Sequence, residues 1–113
     1  MNDKSVEQAL KKKKEHLMPC VYHFYENPMV LKRGEMQYLY DHNDTQYLDL
    51  YSGVSVINSG HANPFITERV IEQLKTLGHT TTIYLSEPIL DLAERLAGIT
   101  PEGLNKSFFV NSG

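Results

Sequence analysis

The residues best suited to chemistry stand at the end of the chain, in Phe108-Phe109-Val110-Asn111-Ser112-Gly113. An apolar strand running into a small polar turn with glycine is a common anion site in α/β proteins. Such a turn exposes backbone N–H groups, and a following helix points its positive end at a phosphate. An ordinary loop would read the same way from this stretch alone. Gly60-His61-Ala62-Asn63-Pro64 offers a second constellation. His61 there can face a site, or it can bond the loop backbone and order a helix start. Thr80-Thr81-Thr82-Ile83-Tyr84 offers hydroxyls that can meet a polar substrate or the loop's own amides. The five histidines, at 16, 23, 42, 61 and 79, form no pair at metal-ligand spacing, so no metal site is expected. No nucleophile–base pair stands out, and no catalytic residue is assigned. Cys20 reads as a buried small hydrophobe rather than a reactive thiol.

The elements that must position these residues follow from pattern. Residues 3–17 suit a helix capped by Asp3 or Ser5, with a thin apolar stripe of Val6, Ala9, Leu10 and Leu17, ended by Pro19. Lys11 to Lys14 cover every face of one turn and read as solvated. Residues 36–50 read as a hairpin. Tyr38 and Tyr40 recur on a period of two, Asn43 and Asp44 tolerate a tight turn, and Tyr47–Leu50 returns. Such a hairpin needs a neighbouring layer. Residues 63–77 predict a helix with Asn63 as cap, Pro64 in its first turn and Gly78 as stop. Its apolar face is Ile66, Val70, Leu74 and Leu77. A second helix is predicted over about 87–98, capped by Ser86, with Ile89, Leu92, Ala93 and Leu96 on its stripe, broken by Gly98 and Pro101. Residues 107–110 predict a short buried strand.

Composition narrows the class. The 113 residues carry 11 Lys plus Arg against 14 Asp plus Glu, for a formal charge of -3. That balance argues against a nucleic-acid partner. With 41% apolar and 22% charged residues, the chain is no disordered polyelectrolyte. Its apolar runs are too short for a membrane span, and its start lacks a secretory core. One cysteine fits a reducing compartment, so a cytoplasmic location is expected.

Taken in order, several stretches resemble the N-terminal part of the class III, or omega-type, aminotransferases. They are Leu39-Tyr40-Asp41, Tyr47-Leu48-Asp49-Leu50, Ser52-Gly53-Val54, Gly60-His61 with Pro64, and Glu72-Gln73-Leu74. His79-Thr80, Leu92-Ala93-Glu94-Arg95-Leu96 and Phe108 to Gly113 complete the set. The branch looks nearest to the alanine–glyoxylate, 4-aminobutyrate and acetylornithine enzymes. Tyr40, Asp44 and Arg69 depart from the residues usual in the family.

The resemblance implies an α/β chain, the N-terminal portion of a fold type I pyridoxal-phosphate transferase. That portion would comprise an N-terminal helix, a small antiparallel hairpin or sheet, two helices and the first strand of the large sheet. It implies a helical arm over 1–20, a small-domain hairpin segment over 21–63 and the start of the cofactor-binding domain over 64–113. It implies pyridoxal 5'-phosphate, with Ser112 and Gly113 opening the phosphate cup. Ser52, Gly53, Val54, Thr82 and Tyr84 would flank the substrate entrance. The amino group would pass between an amino acid or amine and a 2-oxo acid, in a homodimer, with neither membrane nor nucleic acid involved. The family's cofactor-binding lysine and ring-pairing aspartate lie downstream, so the chain reads as an inactive N-terminal fragment. A pyridoxal-phosphate lyase or mutase on the same scaffold, or a small non-catalytic module binding phosphate or protein, are the alternatives.

Overall fold

A computed structural model describes residues 4–112. The chain divides into two units, Met1–Ile71 and Glu72–Gly113.

Helix α1 spans Lys4–His16. Ser5 lies inside it rather than at its cap, and Asp3 lies outside the described residues. The Leu17 N–H still reaches the Lys13 carbonyl at 2.9 Å before Pro19 stops the helix. The expected hairpin is present, but shorter and one strand richer. Strands β1 (Leu31–Glu35), β2 (Tyr38–Asp41) and β3 (Gln46–Leu48) form an antiparallel meander in that order. Tyr38 faces Leu48, and Tyr40 faces Gln46. Met36 leaves the predicted strand and sits at φ 48° in the two-residue turn between β1 and β2.

β1 is a third strand of the same sheet that the sequence pattern did not announce. Leu-Lys-Arg-Gly-Glu carries three charges and a glycine, which suits a solvent-facing edge. Its cross-strand chemistry explains it. The Arg33 guanidinium lies 3.4 Å over the Tyr40 ring, and Arg33 and Lys32 both reach Asp44, at 3.6 and 3.9 Å. A register shift between Leu31 and Arg33 bends this edge.

The β2–β3 turn is built on Asp41, whose side chain is buried. One carboxylate oxygen accepts from the backbone N–H groups of Asn43 and Thr45 at 2.8 and 2.9 Å. The other accepts from the Tyr47 hydroxyl at 3.0 Å. Asp44 supplies the positive φ, 59°. Burial pushes the Asp41 carboxyl up. The Thr45, Tyr47 and Asn43 hydrogen bonds outweigh that and leave it below its ordinary value. The same carboxylate raises the Tyr47 phenol.

Helix α3 spans Pro64–Thr76, after the short α2 over Ser52–Ser55. The Asn63 side chain caps it, accepting from the Phe65 N–H at 3.1 Å and donating to the Ser59 carbonyl at 2.7 Å. Gly78 follows the helix without adopting positive φ. Instead the Gln73 side-chain amide donates to the Leu77 carbonyl at 2.9 Å. Helix α4 spans Glu87–Ile99, so Gly98 is inside it. Ser86 holds the extended cap conformation but makes no side-chain cap bond. Residues 107–110 are irregular and exposed, with Phe108 at 90% exposure, in place of the expected buried strand. A strand needs a neighbour to take its N–H and C=O groups, and none pairs there among the described residues.

Candidate functional site

The local geometry is most specific around residues 49–61. The chain after β3 reaches Asp49, whose N–H donates to the Gln37 carbonyl at 2.9 Å. Helix α2, Ser52–Ser55, follows, and its four φ angles are 49°, 58°, 63° and 62°. This is one turn of left-handed backbone, flanked by right-handed Tyr51 and Val56. The Ser55 N–H bonds the Tyr51 carbonyl at 3.1 Å, and the Val56 and Ile57 N–H groups share the Ser52 carbonyl at 2.8 and 2.9 Å. Gly53 takes this conformation without steric cost. Ser52, Val54 and Ser55 do not, at about 1–2 kcal/mol each, and a β-branched residue such as Val54 is the least suited.

Asp49 holds the entrance to that turn. Its Oδ1 accepts from the Tyr51 N–H at 3.0 Å and the Ser52 N–H at 2.9 Å. Its Oδ2 lies 2.6 Å from His61 Nε2. The Asp49 side chain is 7% exposed, and His61 is 20% exposed. The His61 hydrogen bond and those from Ser52 and Tyr51 lower the Asp49 carboxyl below its ordinary value. The ionised carboxylate only accepts, so His61 Nε2 carries the donated proton.

His61 is itself fixed to the sheet. Its N–H and carbonyl exchange bonds with Met36, both 2.8 Å. Gly34 makes the room: a Cβ there would stand 2.6 Å from His61 Cβ and 2.8 Å from its Cγ. Gly60, at φ 90°, lets the chain approach the Met36 backbone. His61 thus takes the structural role, with a carboxylate as its side-chain partner.

The residues expected at a substrate entrance fall into two groups. Ser52, Gly53 and Val54 lie together on the left-handed turn, in the first unit. Thr82 and Tyr84 lie together in a groove of ≈ 490 Å³ in the second, beside Thr80, Thr81, Leu77 and Ile89. Thr80 and Thr81 bond their own loop there. The Thr80 hydroxyl donates to the Thr81 carbonyl at 3.2 Å, and Thr81 Oγ1 accepts from the Ile83 N–H at 3.2 Å. Ser112 is exposed at the end of the irregular segment, and Gly113 lies outside the described residues. The sequence reading overlooked Asp49 as a site residue. Its local signal is an aspartate two and three residues before amides at a Ser-Gly turn. No group of three or more potential metal ligands exists among the described residues.

The family model for class III aminotransferases matches residues 21–113. Alanine–glyoxylate aminotransferase 2 homolog 2, mitochondrial, of Arabidopsis thaliana is 42% identical over 109 residues, covering 96% of this chain and 23% of that protein. A phospholyase from Arthrobacter, solved in complex with phosphoethanolamine, superposes with a TM-score of 0.82 at 31% identity. It covers 93% of this chain and 24% of its own. An (S)-enantioselective omega-transaminase from Thermomicrobium roseum superposes at 0.75 and 31% identity, over 90% and 24%. The chain therefore spans about a quarter of the proteins it matches. It belongs to the class III aminotransferase family.

Proposed function

We propose that this chain forms the N-terminal part of a pyridoxal-phosphate-dependent aminotransferase, which moves an amino group between an amino acid or amine and a 2-oxo acid. The family match over residues 21–113 carries this reading. We assign residues 1–20 to an arm, 21–63 to a small-domain segment and 64–113 to the start of the cofactor-binding domain. Ser52, Gly53 and Val54 on the turn, and Thr82 and Tyr84 in the groove, would bound the substrate entrance.

Residues 105–112, Asn-Lys-Ser-Phe-Phe-Val-Asn-Ser, offer hydroxyl, amide and ammonium donors and no carboxylate. That donor set fits a phosphate, with Ser112 and then Gly113 as the residues that would hold it. The bound cofactor supplies the electron sink for the reaction. This chain's residues bind and orient. Lys75 and Lys106 are exposed, on α3 and on the irregular segment, and neither is assigned a catalytic role.

A homodimer is the assembly we propose for the family-length protein, as the family resemblance implies. Cys20 is exposed rather than buried as expected; a lone cysteine still fits a cytoplasmic setting, although the plant relative is named as mitochondrial. No helix among the described residues is long and apolar enough to cross a membrane. The likeness to a phospholyase supports one second reading, lyase chemistry on the same scaffold. A family-length protein carrying this chain tests the two. Amino-group transfer from an amine to a 2-oxo acid is expected. Phosphate release from phosphoethanolamine without transfer would replace aminotransferase with lyase.

A further inference from the structure

The left-handed turn is a local conformation that its own sequence opposes. Val54 is β-branched, sits at φ 63° and is 67% exposed as a residue. Burial of Val54 therefore does not compensate the strain within this chain. What holds the turn is one carboxylate with both oxygens engaged. Asp49 Oδ1 takes the Tyr51 and Ser52 amides at the mouth of the turn, and Oδ2 takes His61. His61 is in turn bonded through its backbone to Met36, and its ring fills the space that Gly34 leaves open. A chain of contacts thus runs from the β1–β2 turn through His61 and Asp49 to the amide of Ser52. A loop that only had to connect β3 to α3 would need none of this. Backbone strain that the surroundings over-determine is the pattern of a turn held for function.

We propose that Asp49 and His61 are positioning residues that hold the Ser52–Ser55 turn in its left-handed form, so that Gly53 and Val54 meet the substrate in one fixed geometry. The role rests on the reading that this turn bounds the substrate entrance. Neither residue needs to touch substrate. Asp49 acts through two backbone amides, and His61 acts by fixing the carboxylate.

The experiment uses the family-length protein carrying this chain, with Asp49→Ala, Asp49→Asn, His61→Ala, His61→Gln and Val54→Ala. Two readouts are taken: the KM-against-kcat split for the amino donor, and hydrogen exchange at the amides of Ser55, Val56 and Ile57. Asp49→Ala is expected to raise KM at least ~10-fold while kcat moves less than ~3-fold, as loss of hydrogen bonds to an ionised acceptor implies. Protection at residues 55–57 is lost, and protection across β2 and β3 is kept. Asn at 49 offers an oxygen to the same two amides, and its side-chain N–H donates to His61 Nε2 once the ring carries its proton on Nδ1 instead, so Asp49→Asn recovers most of the KM and the protection. His61→Gln likewise improves on His61→Ala, and this pair decides the matter if Asp49→Ala does not fold. Unchanged KM and unchanged exchange at 55–57 in Asp49→Ala overturn the proposal. So does a loss of protection that spreads equally through β2 and β3, which marks a general structural role. If residues 55–57 are released while neither Asp49→Ala nor Val54→Ala alters KM, the entrance reading itself is overturned.

Discussion

Gly34 is the residue on which the contacts of His61 most plainly depend. A methyl group there would meet His61 Cβ and Cγ, which belong to a residue whose backbone is bonded to Met36 and whose ring is bonded to Asp49. Gly34→Ala in the family-length protein is expected to destabilise by ~1–3 kcal/mol, the range for overpacking, measured as a lowered thermal midpoint. An unchanged midpoint would mean that His61 can move aside freely. The two carboxylates set the acid limit. Asp41 and Asp49 both sit below the ordinary value of 3.8 in the folded chain. A depressed carboxyl contributes stability that is fully present above its unfolded pKa and lost as pH falls through the folded one. Stability of the sheet end and of the left-handed turn should therefore hold from neutral pH down to about 4 and fall below it. Asp49→Asn should flatten that acid limb. A limb that is identical in Asp49→Asn would show that other groups set it.

Among the elements, α3 is the most legible in sequence, because its signals agree: the Asn63 cap, Pro64 in the first turn and apolar residues on a helical period. Asn63→Ala removes the oxygen that accepts from Phe65 and the amide that donates to Ser59. The expected cost is about 1 kcal/mol, read as a thermal shift, whereas Pro64→Ala should change little. Equal effects of the two would mean that the cap bond carries no stability. The tyrosine-bearing hairpin and α4 were also readable from period and turn residues. β1 was not, because its stability comes from Arg33 on Tyr40 and from the basic residues around Asp44, contacts between distant positions with no local pattern. The left-handed turn was legible only at Gly53, since nothing local makes Ser52 or Val54 prefer positive φ. The hydrogen bonds that hold it come from Asp49 and, twelve residues on, His61. Residues 107–110 carry a strand's composition without a strand's partner, and pattern alone reports composition.

Over the whole molecule, the described residues leave their apolar faces open. Ile66, Val70 and Leu74 form the expected stripe on α3, with Leu77 just past its end, yet Val70 is 51% and Leu74 64% exposed. Ile89 and Leu92 on α4 are similarly open, at 44% and 47%. A small domain survives by closing a core, and no apolar side chain among the described residues is buried here. The 113-residue chain on its own is therefore expected to unfold without a sharp cooperative transition. Dispersed amide signals and a steep melt from the isolated monomer would argue otherwise. In the proposed function this chain contributes the entrance and part of the phosphate site to an aminotransferase, and the chemistry needs the three-quarters of the relatives' length that the chain does not span. The direct test is amino-group transfer from an amine to a 2-oxo acid with added pyridoxal phosphate, measured on the isolated chain and on the family-length protein carrying it. Transfer by the family-length protein alone is the predicted result. Transfer by the isolated 113 residues, with pyridoxal phosphate trapped stoichiometrically at one of its own lysines, would contradict it.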